Sequence, residues 1–128
     1  MKLEDLKVGQ YVRFKDKRGI TYIRKIVEIP EDNRYASLYL DKEANYSRGL
    51  SPKNIIKEPS FNVIDILEEG DIISFYEDID NYKKQYVIGI PDLITLDEIK
   101  DKIANDNIRL VSILTKEQME QMAYKVGN

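Results

Sequence analysis

Two stretches of the chain alternate apolar and polar residues after the same lead-in. Leu6-Lys-Val-Gly-Gln-Tyr-Val-Arg-Phe14 and Leu67-Glu-Glu-Gly-Asp-Ile-Ile-Ser-Phe75 both read Leu, two residues, Gly, two residues, a β-branched apolar residue, one residue, Phe. Each predicts a turn ending in Gly9 or Gly70, then a strand at 10–16 or 71–77. Val12 and Phe14, or Ile73 and Phe75, fall on one face of that strand, because successive side chains alternate. A second pair of stretches, Leu50-Ser-Pro-Lys-Asn-Ile55 and Leu114-Thr-Lys-Glu-Gln-Met119, shares an apolar residue, a hydroxyl cap, three helix-opening residues and an apolar return. Partners lie 61 residues apart in the first pair and 64 in the second. The pattern predicts two copies of one small β module, spanning 1–60 and 61–128.

The remaining chain fills in around these landmarks. Lys17-Arg18-Gly19 reads as a turn, with Gly19 free to take positive φ. Residues 20–29 are a long β-rich run with apolar residues in both alternation registers, which predicts a bulge near Arg24-Lys25. Pro30-Glu-Asp-Asn33 is a turn, residues 34–41 alternate as a strand, and 41–46 are a polar loop. Ser51 caps a short helical turn with Pro52 at its first position and Leu50 stapled on Ile55. In the second copy, Glu77-Asp-Ile-Asp-Asn81 is a hairpin tip and 84–90 a strand ending before Pro91. Thr95 and Glu98 form a capping box, with Ile94 meeting Ile99, and open a helix at 96–104. Leu96, Ile99 and Ile103 mark its buried stripe. A strand at 108–114 follows, then a second capping box (Thr115, Gln118), with Leu114 on Met119, opening a helix at 116–122. The expected fold is mainly β with short helices, as two tandem Src-homology-3-like barrel modules. A single α+β domain with an open antiparallel sheet is the alternative.

Composition narrows the chemistry. The 128 residues include no Cys and no His, so disulfides, thiolate nucleophiles, zinc sites and the commonest general base are all excluded. The cysteine-free composition fits a reducing cytoplasm. No apolar run approaches the roughly 20 residues of a membrane span, and the N-terminus lacks the apolar core of a signal peptide. No phosphate-cradling glycine loop occurs. Glu77, Asp78 and Asp80 lack the Gly and distal Glu of a calcium loop. Glu68, Glu69 and Asp71 read as exposed turn residues, since Lys7, Val8 and Gln10 stand in their places in the first copy. No catalytic residue, metal or cofactor is expected.

Charge is uneven. Residues 1–60 hold 13 Lys and Arg against 9 Asp and Glu, a net +4, and residues 61–128 hold 7 against 14, a net −7. Between residues 10 and 25, six cations (Arg13, Lys15, Lys17, Arg18, Arg24, Lys25) face Asp16 alone. Nine tyrosines accompany three Phe and no Trp. On an outward register, Tyr11, Tyr22, Tyr35 and Tyr39 interleave with Arg13, Lys15 and Arg24. These seven are the candidate binding residues. Rings beside cations suit a protein hot spot or a single-stranded nucleic acid or nucleotide. Equally, tyrosine fits half-buried strands and cations fit a solvated face.

The turn and cap motifs carry a resemblance. Val63-Ile-Asp-Ile-Leu-Glu-Glu-Gly-Asp71, Ile113-Leu-Thr-Lys-Glu-Gln-Met119 and Tyr124-Lys-Val126 resemble small prophage-encoded proteins of low-GC Gram-positive bacteria. Those carry Ile-Asp-Leu-Ile-Glu-x-Gly-Asp and end in Thr-Lys-Glu-Gln-Phe, then Tyr-Lys-Val. This chain departs from them at Met119 and in an insertion around 91–105. The resemblance covers mainly residues 60–75 and 110–126 and implies a mobile-element origin, with no assignment of chemistry. The expected function is a non-enzymatic binding protein that contacts a host protein or its own copies, with possible homo-oligomers. The alternative is a nucleic-acid or nucleotide binder using the basic tyrosine face.

Overall fold

Both alternating stretches fold as strands, and each pairs with the next strand in a hairpin. The computed structural model describes residues 3–31, 38–41, 51–77, 83–88, 95–105 and 108–123. Two compact units divide the chain, Met1–Ile66 and Leu67–Asn128.

In the first unit, a 3-10 turn (Leu3–Asp5) leads into the Gly9 turn, then β1 (Tyr11–Lys15), β2 (Thr21–Glu28) and β3 (Tyr39–Leu40). These form one antiparallel sheet in the order β1-β2-β3. The β1–β2 ladder runs from Tyr11↔Lys25 to Lys15↔Thr21 without a break. The expected bulge is displaced. It falls at Val27, between the pairs Ile26↔Leu40 and Glu28↔Tyr39, because β1 keeps 21–25 regular and only the β3 edge is irregular. Ser51 caps a 3-10 turn at Pro52–Asn54 as expected. The chain then returns along the free edge of β1, with bridges Phe14↔Ile55 and Tyr11↔Ser60. Leu6, Val12, Phe14, Ile26, Leu38 and Leu40 form the core, with Tyr22, Ile29 and Ile55 packed against it. The last turn, Val63–Ile66, belongs to this unit, and Arg13 donates from Nη1 to the Ile66 carbonyl at 3.3 Å. The first unit ends at Ile66.

In the second unit, β4 (Ile72–Glu77) and β5 (Lys83–Val87) form the hairpin, followed by α1 (Leu96–Ala104), β6 (Ile108–Leu114) and α2 (Lys116–Met122). The sheet order is β5-β4-β6, all antiparallel. Leu67, Ile73, Phe75, Ile88 and Ile99 are fully buried. Caps set both helices where the sequence places them. The Thr95 hydroxyl accepts from Glu98 N–H and donates to the Glu98 carboxylate, and Thr115 with Gln118 closes a complete capping box.

The strands are thus two three-stranded antiparallel sheets with two α-helices, a mainly β or α+β arrangement, and neither sheet closes into a barrel among the described residues. The landmarks at Ser51 and Thr115 take different places. The first precedes the segment that pairs with β1, whereas the second follows β6; in the second unit the element preceding the paired strand is α1. A hydroxyl cap satisfies the start of any helix, so it marks a local boundary and not a position in the fold. Met119 is exposed. The strand at 34–37, the loop at 42–46, the staples of Leu50 and Ile94, and residues 78–81 of the second hairpin tip lie outside the described residues.

Candidate functional site

Cross-strand partners share a sheet face, so the β1–β2 register settles where the tyrosines and cations go. Tyr11↔Lys25, Arg13↔Ile23 and Lys15↔Thr21 alternate with Val12↔Arg24 and Phe14↔Tyr22. Tyr22 and Arg24 therefore share the face of Val12 and Phe14, opposite Tyr11, Arg13 and Lys15. The seven residues do not form one face. Arg13, expected outward, is 1 % exposed and holds the Ile66 carbonyl. Tyr22 stacks on Phe14 with centroids 5.7 Å apart. The Arg24 guanidinium lies 5.3 Å from the Tyr22 centroid, and Arg18 donates to the Tyr22 hydroxyl at 2.7 Å. That ring is engaged within the chain at both face and edge. Lys25 sits 5.7 Å from the Tyr11 ring, Lys15 is exposed and Tyr39 is half-buried. Tyr35 lies outside the described residues.

The hairpin tip is built on Asp16. Its carboxylate accepts from the backbone N–H groups of Arg18 (2.9 Å) and Ile20 (3.0 Å) and from the Arg18 guanidinium. Burial by itself raises the Asp16 pKa, but these hydrogen bonds and the Arg18 charge outweigh it, so the carboxyl titrates below its ordinary value. Gly19 takes φ +85° there, as its position in the turn requires. Of the tip's cations, Arg18 serves its geometry.

A different surface stands out at the Gly9 turn. Gly9 has φ +99°, and its N–H donates to the Ile26 carbonyl at 2.9 Å, which fixes the turn against β2. Val8 is 54 % exposed, and Phe61, whose ring lies about where a Gly9 side chain would make contact, is 60 % exposed. Val27, beside Ile26, is also exposed. Lys7 and Lys25 are exposed around this apolar group. The signal was present in the sequence: Val8 is apolar where turns are ordinarily polar, and Phe61 falls between two predicted elements with no strand face to join.

The equivalent turn of the second unit has the same backbone and another surface. Gly70 has φ +95° and donates to the Ile88 carbonyl at 2.8 Å. Glu68 and Glu69 are exposed, and Lys116 of α2 lies over Gly70 in the place that Phe61 takes over Gly9. Asp71 departs from the expectation of an exposed turn residue. It is fully buried, and its carboxylate accepts from Glu68 N–H at 2.8 Å, which ties it into the turn.

Among the described residues, strand edges offer little to a partner. β3 has two residues, β5 opens with two lysines, and β6 is broken by a bulge at Val111, between the pairs Phe75↔Leu110 and Ser74↔Ser112. Short edges, lysines and bulges all hinder edge-to-edge pairing. Among the described residues no group of three His, Cys, Asp or Glu could hold a metal ion, and no helix is long and apolar enough to cross a membrane. Compared with known proteins, the chain matches no family model, no curated protein and no solved structure.

Proposed function

We propose that this chain is a non-enzymatic binding protein of phage or other mobile-element origin, acting by contact with a host protein or with its own copies. The exposed Phe61 and Val8 on a hydrogen-bonded turn carry this reading. A large aromatic at 60 % exposure, next to the residue that pairs with Tyr11, supplies contact area as interface anchors do. The matching turns and hairpin registers support two divergent copies of one small Src-homology-3-like module. The absence of Cys fits work in the cytoplasm.

Capture from host lysate, with nuclease present, tests the reading. Proteins retained by the wild-type chain should be lost with Phe61→Ser, while both chains melt alike. Partners held equally by the two chains contradict it. The nucleic-acid alternative draws support from the exposed Lys15, Lys17 and Arg18, although Tyr22 is already stacked on Phe14. It requires that log affinity for single-stranded oligonucleotides fall linearly with log salt, by roughly 0.7 per phosphate contacted.

A further inference from the structure

The Gly9 and Gly70 turns share a backbone and differ in chemistry in opposite senses. The first exposes Lys7 and Val8, with Phe61 over its glycine; the second exposes Glu68 and Glu69, with Lys116 over its glycine. Lys116 opens α2, which carries Met119 and Met122 three residues apart, hence on one face. Both methionines are exposed, Met122 at 72 %, and Glu120 between them is exposed as well. One surface is apolar with Lys7 and Lys25 exposed beside it, and the other is apolar with Glu68, Glu69 and Glu120 exposed beside it and Lys116 over its glycine. Net charge follows the same division, +3 over residues 1–66 and −6 over 67–128.

We propose that these surfaces are the two halves of a self-association interface: the Gly9 turn of one copy docks on the Gly70 turn and α2 of a second copy. The proposal rests on the protein-binding reading above and names the partner as the chain itself. Phe61 and Val8 pack on Met119 and Met122, whose unbranched thioethers adapt to an aromatic ring. Lys7 and Lys25 face Glu69 and Glu120, and these rim charges set orientation and association rate more than affinity. Like surfaces are kept apart, since pairing two Gly9 turns would oppose Lys7 with Lys7. The contact is heterologous: a two-fold axis using it twice closes a dimer, and its single use extends a chain. The blunted strand edges leave side-chain packing as the route.

Sedimentation of the full chain over a concentration series at low and high salt tests this. The mass should rise from the 15.0 kDa of one chain to at least twice that, with the midpoint moving to higher concentration as salt screens the rim. Phe61→Ser and the double change Met119→Ser with Met122→Ser should each weaken association by about tenfold or more. All three changed side chains touch solvent, and thermal melting verifies that the variants stay folded. Mixed in equal amounts, the two variants should recover a one-to-one pair, because each retains the half the other lacks. Wild type that stays monomeric at millimolar concentration overturns self-association, as does association surviving both variants or failing to recover on mixing. None of these results bears on host capture, where retention of the same partners by Phe61→Ser separately overturns the broader reading.

Discussion

Gln10 and Asp71 hold the same turn with different side chains. Gln10 Oε1 accepts from Lys7 N–H at 2.8 Å, and Asp71 Oδ2 accepts from Glu68 N–H at 2.8 Å. The next bonds also agree: Ile26 N–H to the Gln10 carbonyl at 2.8 Å, and Ile88 N–H to the Asp71 carbonyl at 2.9 Å. Hairpin registers then run in step, Tyr11↔Lys25 to Lys15↔Thr21 and Ile72↔Val87 to Tyr76↔Lys83. Beyond this frame the units part. In the second, β6 pairs along β4 from Glu77↔Ile108 to Ile72↔Leu114. In the first, the segment on the corresponding β1 edge makes only isolated bridges at Ile55 and Ser60. Pro59 lacks an N–H and interrupts a ladder there, whereas Ile-Arg-Leu-Val-Ser-Ile-Leu is rich in strand formers. Satisfying the backbone of a turn constrains it tightly; what lies over the turn is free to diverge.

The largest expected effects test whether the two cores are equivalent. Phe14 and Phe75 are both fully buried, so each Phe→Ala change should cost about 3–5 kcal/mol in urea unfolding. A difference beyond the scatter of such values would break the equivalence. The turn acceptors should separate next. Asp71→Ala removes a fully buried acceptor of the turn and should cost about 1–3 kcal/mol, while Gln10→Ala, where the bond to Lys7 N–H is exposed, should cost about 1 kcal/mol or less.

Glycine substitution sharpens the comparison further. Gly9→Ala and Gly70→Ala should each cost about 1–2 kcal/mol from backbone strain at positive φ. A methyl at Gly70 meets Lys116 Cδ at 3.0 Å, whereas one at Gly9 meets Phe61 at 3.5 Å. Gly70→Ala should therefore be the worse of the two, and Lys116→Ala should relieve the excess. The smallest effect belongs to Asp16 alone. Its folded pKa lies below the ordinary 3.8, so its contribution is present above that value and is lost as pH falls through the folded pKa. Acid titration of stability should show this loss in wild type, and Asp16→Asn should flatten it.

Elements governed by neighbours in sequence were legible. The bounds of α1, β6 and α2 coincide with the predicted 96–104, 108–114 and 116–122, because cap hydroxyls, apolar periodicity and β-branched runs act locally. Features set by pairing across the chain were not. The outward assignment of Tyr22 and Arg24 was one position out of phase with β1, and only hairpin register decides that phase. Arg13 goes inside because a carbonyl distant in sequence, that of Ile66, receives it. Asp71 is buried and tied into its turn by the bond from Glu68 N–H, which charge comparison between copies cannot reveal. Of the candidate binding surface, the sequence showed its parts, Val8 and Phe61, but not that Tyr11↔Ser60 pairing brings Phe61 to the Gly9 turn.

Amide chemical shifts of the isotope-labelled chain, followed through a dilution series, test most directly the claim that the two glycine turns are the working surfaces. Shifts that move with concentration should gather at Lys7, Val8, Gly9 and Phe61 in the first unit and at Glu69, Gly70, Met119 and Met122 in the second, with common midpoints. The β1–β2 tip at Asp16–Gly19 should stay still. Spectra unchanged by dilution, or changes centred on that tip or on the β6 edge, would contradict the account.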